Sequence, residues 1–186
     1  MKIPVLGFDP SYRSWGIAFA NYNLDTGLLE DVELNIFTTE KTTNKQLRVN
    51  SDDLQRCRLL ASNLFSLVQK AEFIFAEVPV GSQSSDAMKS YGICCALIAA
   101  LQSQGNEVIQ VTPEEVKLSL FGSASATKKE MIQKAYELFP RTNWPIKSGK
   151  VVSSKAEHMA DAIGAILAGI KTPEFNAYIK AYNHLK

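Results

Sequence analysis

The hydrophobic period of this chain changes after Thr38, and that change limits the folds open to it. Before it, the apolar residues suit strands. Ile3 to Phe8 form a short apolar run, Ser14 to Asn23 a second, and Leu28 to Thr38 alternate through Leu29, Val32, Leu34 and Ile36. Asp25-Thr26-Gly27 is a turn signal between the last two. Three strands joined by short turns predict an antiparallel meander. From Asp52 to Lys70, Leu54, Leu60, Leu64, Leu67 and Val68 recur at helical spacing. Residues 72–79, EFIFAEVP, predict a strand that Pro79 ends. Residues 85–104 predict a helix closed by Gly105, and 107–111 a further strand. Thr112 and Pro113 are an N-cap and first-turn proline for a helix that contains Lys117. A polar loop over 122–130 leads into a helix reaching about Phe139, and 140–153 reads as an exposed loop. A long helix over 154–171 and a short one after Pro173 complete the chain. This order predicts an α/β fold with a mixed five-stranded sheet flanked by helices.

The 186 residues suit one compact domain, and 46% hydrophobic with 21% charged residues predicts a folded core. The net charge of +1 neither demands nor excludes a nucleic-acid partner. Three cysteines, Cys57, Cys94 and Cys95, two of them adjacent, offer no disulfide framework or thiolate zinc site. They fit a reducing cytosol. No secretory leader is expected at the N-terminus. The longest apolar stretch, Ile93 to Leu101, is too short to span a bilayer, so no membrane partner is expected.

One charge stands out inside the first apolar run. Asp9 lies in LGFDPSYRSWGIAFA, and a buried carboxylate is costly unless it is paired or bound to a cation. Glu77 closes the fourth predicted strand. His158 and Asp161 sit three residues apart on the long late helix, a spacing that places both on one face, and Glu157, four before Asp161, could join them. In open α/β sheets, sites collect at the carboxyl ends of parallel strands. Phosphodiester hydrolysis needs an activated water and a stabilised leaving oxygen, which two Mg²⁺ ions about 3.5–4 Å apart supply. Carboxylates suit such hard cations, Asp9 is placed to bridge them, and an imidazole in the set leaves room for Mn²⁺.

The sequence resembles the RuvC family of Holliday-junction resolvases over most of residues 3–170. GFDPSYRSWGIA resembles the family's opening strand and turn, with Asp9 at the catalytic aspartate, and FAEVP its second acidic strand, with Glu77 at the catalytic glutamate. AMKSYGICCALI resembles the helix that follows. TPEEVKLSLFGSASATKKEMIQ resembles a segment with two lysines at fixed spacing, here Lys117 and Lys128, and EHMADAIGAIL resembles the terminal motif, with His158 and Asp161 at the last two metal-ligand positions. The resemblance implies a ribonuclease H-like nuclease domain over 1–171 with 172–186 as its helical extension. It implies Asp9, Glu77, His158 and Asp161 as catalytic metal ligands for two Mg²⁺, with Mn²⁺ able to substitute. It also implies a homodimer that cuts four-way DNA junctions with paired nicks. Ser11 and Ala124 stand where the family has glycine, and Val80 where many members carry an aromatic wedge. The divergent 140–153 segment is consistent with a phage or viral member.

From Lys117 to Lys155 there are eight basic residues and two acidic ones, a local charge of +6 in a chain of net +1. Such a surface suits a DNA backbone. The candidates for phosphate contact are Lys117, Lys128 and Lys129, with Arg13 and Tyr12 beside Asp9 at the entrance of the site. The alternatives are a broader fork, flap and three-way branch nuclease, a junction-binding protein without cleavage, and a single-domain ATP-binding protein of the sugar-kinase and actin group. The last would need a Gly-rich phosphate loop, and GSASATKK is not one. The sequence names no branch-migration motor partner.

Overall fold

The β-branched and aromatic runs form strands, and the segments with helical spacing form helices, in the computed structural model. It describes residues 1–78, 81 and 84–184, the last two by backbone only. Strands β1 (Lys2–Asp9), β2 (Ser14–Asn23) and β3 (Leu28–Thr38) make the antiparallel meander, with Asp9 opposite Gly16. Helix α1 (Val49–Val68) leads to β4 (Phe73–Glu77), which runs parallel to β1. Helix α2 (Ser85–Ser103) leads to β5 (Glu107–Val111), parallel to β4. The sheet order is β3-β2-β1-β4-β5. Helices α3 (Pro113–Leu120) and α4 (Lys128–Leu138) follow, each opened by a capping box, Thr112 with Glu115 and Thr127 with Glu130. After them come the short ribbon β6 (Ile146–Lys147) and β7 (Lys150–Val151), then α5 (Ser153–Gly169) and α6 (Pro173–His184).

Helix α1 starts three residues before its apolar period does, because its first turn is polar and carries no period. Asp52 in that turn is buried and accepts a hydrogen bond from the Thr42 backbone N–H. Pro79, the expected strand terminator, and Val80 lie outside the described residues. Among the described residues no helix is long and apolar enough to cross a membrane. Cys57, Cys94 and Cys95 are free thiols.

The sheet separates two apolar clusters. One, with Phe8, Trp15, Leu60, Leu64 and Ile98, lies under α1 and α2. The other, with Phe75, Val116, Ala135, Ile163 and Ile166, lies under α3, α4 and α5. Phe175 of α6 closes the second cluster with edge-on contacts to Tyr22, Phe73 and Phe75 at 5.3, 5.2 and 5.3 Å between centroids. Helix α5 lies unusually deep on the sheet. A Cβ at Gly7 of β1 would stand 2.0 Å from the Ala162 carbonyl oxygen, and one at Gly16 of β2 would stand 2.1 Å from that of His158. Only glycine at these two positions lets the helix backbone come down onto the strands.

Residues 140–153 are not the plain exposed loop expected. Trp144 is buried, and its indole N–H donates to the Phe139 carbonyl at 2.9 Å. Asn143 pairs with the edge strand β3 as another strand would, accepting from the Leu34 N–H at 2.7 Å and donating to its carbonyl at 2.8 Å. The side-chain amide stands in for a peptide group, satisfying an otherwise open strand edge. Proline, glycine and polar residues in the segment mask this anchoring at the sequence level.

Candidate active site

Asp9 and Glu77 end strands that run side by side in the same direction, with Phe8 opposite Ala76 in the preceding register. Their carboxylates therefore leave the sheet at one edge. The glycine-mediated seating of α5 brings the first half of that helix over the same edge. His158 and Asp9, 149 residues apart in sequence, meet through a 2.6 Å hydrogen bond. A carboxylate only accepts, so the imidazole Nδ1–H donates. The His158 and Asp9 side chains are 21% and 17% exposed, a cleft rather than a sealed core.

The remaining charges crowd one another. Burial, then the charges of Asp9 and Asp161, push the Glu77 carboxyl up to about 8, against the opposing pull of Lys117. Burial and Asp9 push Asp161 up to about 7, with His158 and Lys128 pulling the other way. The hydrogen bond to Asp9 holds His158 above its usual range despite burial. Burial first, and mutual repulsion second, thus disfavour the ionised form of both carboxyls. Three carboxylates and one imidazole suit a hard divalent cation in kind, and a cation would relieve their repulsion. The set is not drawn tight: among the described residues no group of three His, Cys, Asp or Glu side chains is gathered closely enough to hold an ion. The His158–Asp9 hydrogen bond also engages one atom of each.

Of the other residues singled out in the sequence, Lys117 of α3 faces this cluster through its interaction with Glu77. Lys128, the first residue of α4, forms a 2.8 Å ion pair with Glu157, and its charge is felt at Asp161 and Asp9. Glu157 is thus engaged by Lys128. Lys129 lines a neighbouring groove. Arg13 is exposed on the β1–β2 turn and borders a cleft with Lys41, Arg56 and Lys89. Tyr12 requires correction. It is 5% exposed and turned inward, its hydroxyl donating to the Asp53 carbonyl and carboxylate, both at 3.1 Å. The Arg56 guanidinium lies 3.9 Å from the Tyr12 ring centroid, and the Tyr12 backbone N–H donates to Ser90 Oγ at 3.2 Å. The apolar ring and a ready acceptor draw Tyr12 into the α1–α2 side, so it offers no phosphate contact.

The sequence reading missed the residues that place the site. Gly7 and Gly16 position α5, and the only signal for them was a glycine in each of two adjacent predicted strands. Arg56 and Lys89, from α1 and α2 and remote in sequence from every motif, line the separate cleft beside Arg13.

No protein-family model and no curated protein matches the chain. Solved structures do. Thermus thermophilus RuvC superposes with a TM-score of 0.63 at 19% identity, covering 89% of this chain and 92% of that one. This is a ribonuclease H-like fold. Thermus thermophilus RuvC in complex with a Holliday junction substrate gives 0.59 at 18% identity, over 89% and 92% of the two chains. The yeast mitochondrial Holliday junction resolvase gives 0.55 at 16% identity, over 97% and 83%. The proteins whose motifs the sequence resembles are thus also similar to this chain in architecture, which is α/β with a mixed five-stranded sheet flanked by helices.

Proposed function

We propose that this chain is a divalent-metal-dependent, structure-specific endonuclease that resolves four-way DNA junctions by paired, symmetric nicks. The observation that carries the reading is the convergence of Asp9 and Glu77, which end adjacent parallel strands, with His158 bonded to Asp9 and with Asp161 close enough to act on both carboxyls. It sits in a fold that resembles resolvases, one of them solved in complex with a Holliday junction substrate.

In this reading Asp9, Glu77, His158 and Asp161 would draw together to hold two Mg²⁺, and Mn²⁺ could replace them. Bound there, the cations would supply an activated water and charge stabilisation for the leaving oxygen. The chain's own residues set the geometry. Asp9 and Glu77 are fixed by strand register, His158 and Asp161 by the depth of α5. The His158 imidazole restrains the Asp9 carboxylate through their hydrogen bond. Lys117 and Lys128 offset the charge of an approaching phosphate at the rim, with Lys129 and Arg13 further out. A two-fold symmetric junction calls for two sites, so the active species is a homodimer. Residues 1–171 form the nuclease unit, 172–186 extend it, and the cytosol is its compartment.

Cleavage of synthetic four-way, three-way, flap and duplex DNA, with Mg²⁺ or Mn²⁺, tests the proposal. The expected result is symmetric nicks in the four-way substrate. Equal cutting of forks and flaps would replace it with a broader branched-DNA nuclease. No metal-dependent cutting of any branched DNA would overturn it.

A further inference from the structure

The apolar surface of helix α4 extends beyond the stripe that is fully buried in the core. Met131 and Ala135 are buried against α5. Flanking that stripe, Lys128, Lys129, Ile132, Gln133 and Tyr136 wall a groove of about 450 Å³ closed on its far side by Val151, with Ile132 partly buried against the core. That volume falls within the range of sites that enclose small ligands. Tyr136 is 37% exposed and braced by Trp144, 6.1 Å between ring centroids. An aromatic ring and an isoleucine left partly open to water thus lie in the most basic stretch of the chain, the span of charge +6. The groove also adjoins the catalytic cluster. Glu157, next to His158 in sequence, forms part of its wall and is neutralised by Lys128 at 2.8 Å.

We propose that this groove takes a single unstacked nucleotide of the DNA substrate, its base against Tyr136 and Ile132 and its phosphate toward Lys129. The assignment rests on the endonuclease reading above. Charge complementarity selects the occupant: the basic rim favours a polyanion, and the apolar, aromatic floor favours an exposed ring face. A base inside a continuous duplex presents only its edges, whereas a branch point or a nicked strand frees a face at little cost. An acidic peptide would satisfy the lysines but leave the open face of Tyr136 uncovered.

The test uses four-way junctions that carry 2-aminopurine in turn at each nucleotide around the branch and the cut, bound in EDTA so that no cleavage occurs. With the wild-type protein, stacking is expected to change the fluorescence at one position. Tyr136→Leu is expected to abolish that change and weaken junction binding about tenfold, and Tyr136→Phe to preserve both. In wild-type protein, 4-thiothymidine at the same position is expected to crosslink to α4, a readout that holds even if Tyr136→Leu fails to fold. Crosslinks falling entirely outside α4 and residues 151–157 would overturn the assignment, as would wild-type binding and fluorescence in Tyr136→Leu. If the wild-type protein cut and bound junctions normally in that case, only the groove assignment would fall. Absence of junction binding by the wild type would instead remove the endonuclease reading beneath it.

Discussion

On the α1–α2 side of the sheet, Tyr12, Asp53, Arg56 and Lys89 satisfy one another. Asp53 accepts from Tyr12 and from Lys89 at 2.8 Å, and Arg56 stacks on Tyr12 while donating to Thr39 at 3.1 Å. The Lys89 hydrogen bond holds Asp53 below the usual carboxylate range, and burial raises Tyr12 well above its own. On the α5 side, Glu77 and Asp161 are pushed the other way, up to about 8 and 7. One polar cluster is complete as folded and fixes a turn. The other gathers buried carboxyls whose ionised forms are disfavoured first by burial and then by one another, and a cation placed there would relieve that.

The contrast can be broken most severely at Asp9. Asp9→Asn removes a charge from the incomplete cluster and is expected to lower metal-dependent junction cleavage by roughly a thousandfold, taking a lost ligand as worth about 4 kcal/mol. Junction binding in EDTA should be retained, and cleavage at the wild-type rate would refute the assignment. Next in size, Gly7→Ala forces α5 off the sheet, since the new Cβ meets the Ala162 carbonyl at 2.0 Å. A loss of about 3 kcal/mol is expected, a fall in Tm on the order of 10 °C, with cleavage falling alongside it. An unchanged thermal scan would show that the helix has room.

Glu77 sharpens the comparison through pH. Its folded-state proton affinity is raised, so the stability it lends is present below its ordinary 4.5 and is lost as pH rises toward about 8. Metal-free protein should therefore lose Tm across that window, and Glu77→Gln should flatten the profile. A steeper profile in the variant would contradict the repulsion inferred here. Tyr12→Phe probes the complete cluster. It should cost about 1 kcal/mol in denaturant unfolding while leaving junction affinity unchanged, because the hydroxyl serves Asp53 and not DNA. Smallest of all, Lys128→Ala should reduce the salt dependence of junction binding by roughly one phosphate contact. An unaltered slope would move the backbone elsewhere.

Much of this was legible in the chain because local rules decided it. Strand period placed Asp9 and Glu77 at strand ends, and helical spacing put His158 and Asp161 on one face. What could not be read was set by contacts between distant segments. Asn143 takes its meaning from Leu34, more than a hundred residues earlier, and nothing in its own neighbourhood marks it as a strand mimic. Tyr12 looked like a turn residue facing solvent, but Asp53 and Arg56 on α1 turn it inward. The depth of α5 depends on what Gly7 and Gly16 lack, and a missing side chain carries no periodicity.

The 149-residue separation of Asp9 and His158 has a consequence for synthesis. A ribosome adding about 5–20 residues per second delivers the first several seconds to half a minute before the second. Until α5 emerges and docks, the growing chain holds Asp9 and Glu77 but not the other half of the cluster. An unfinished chain therefore carries only half of the cluster, and the set of four is completed in one late step.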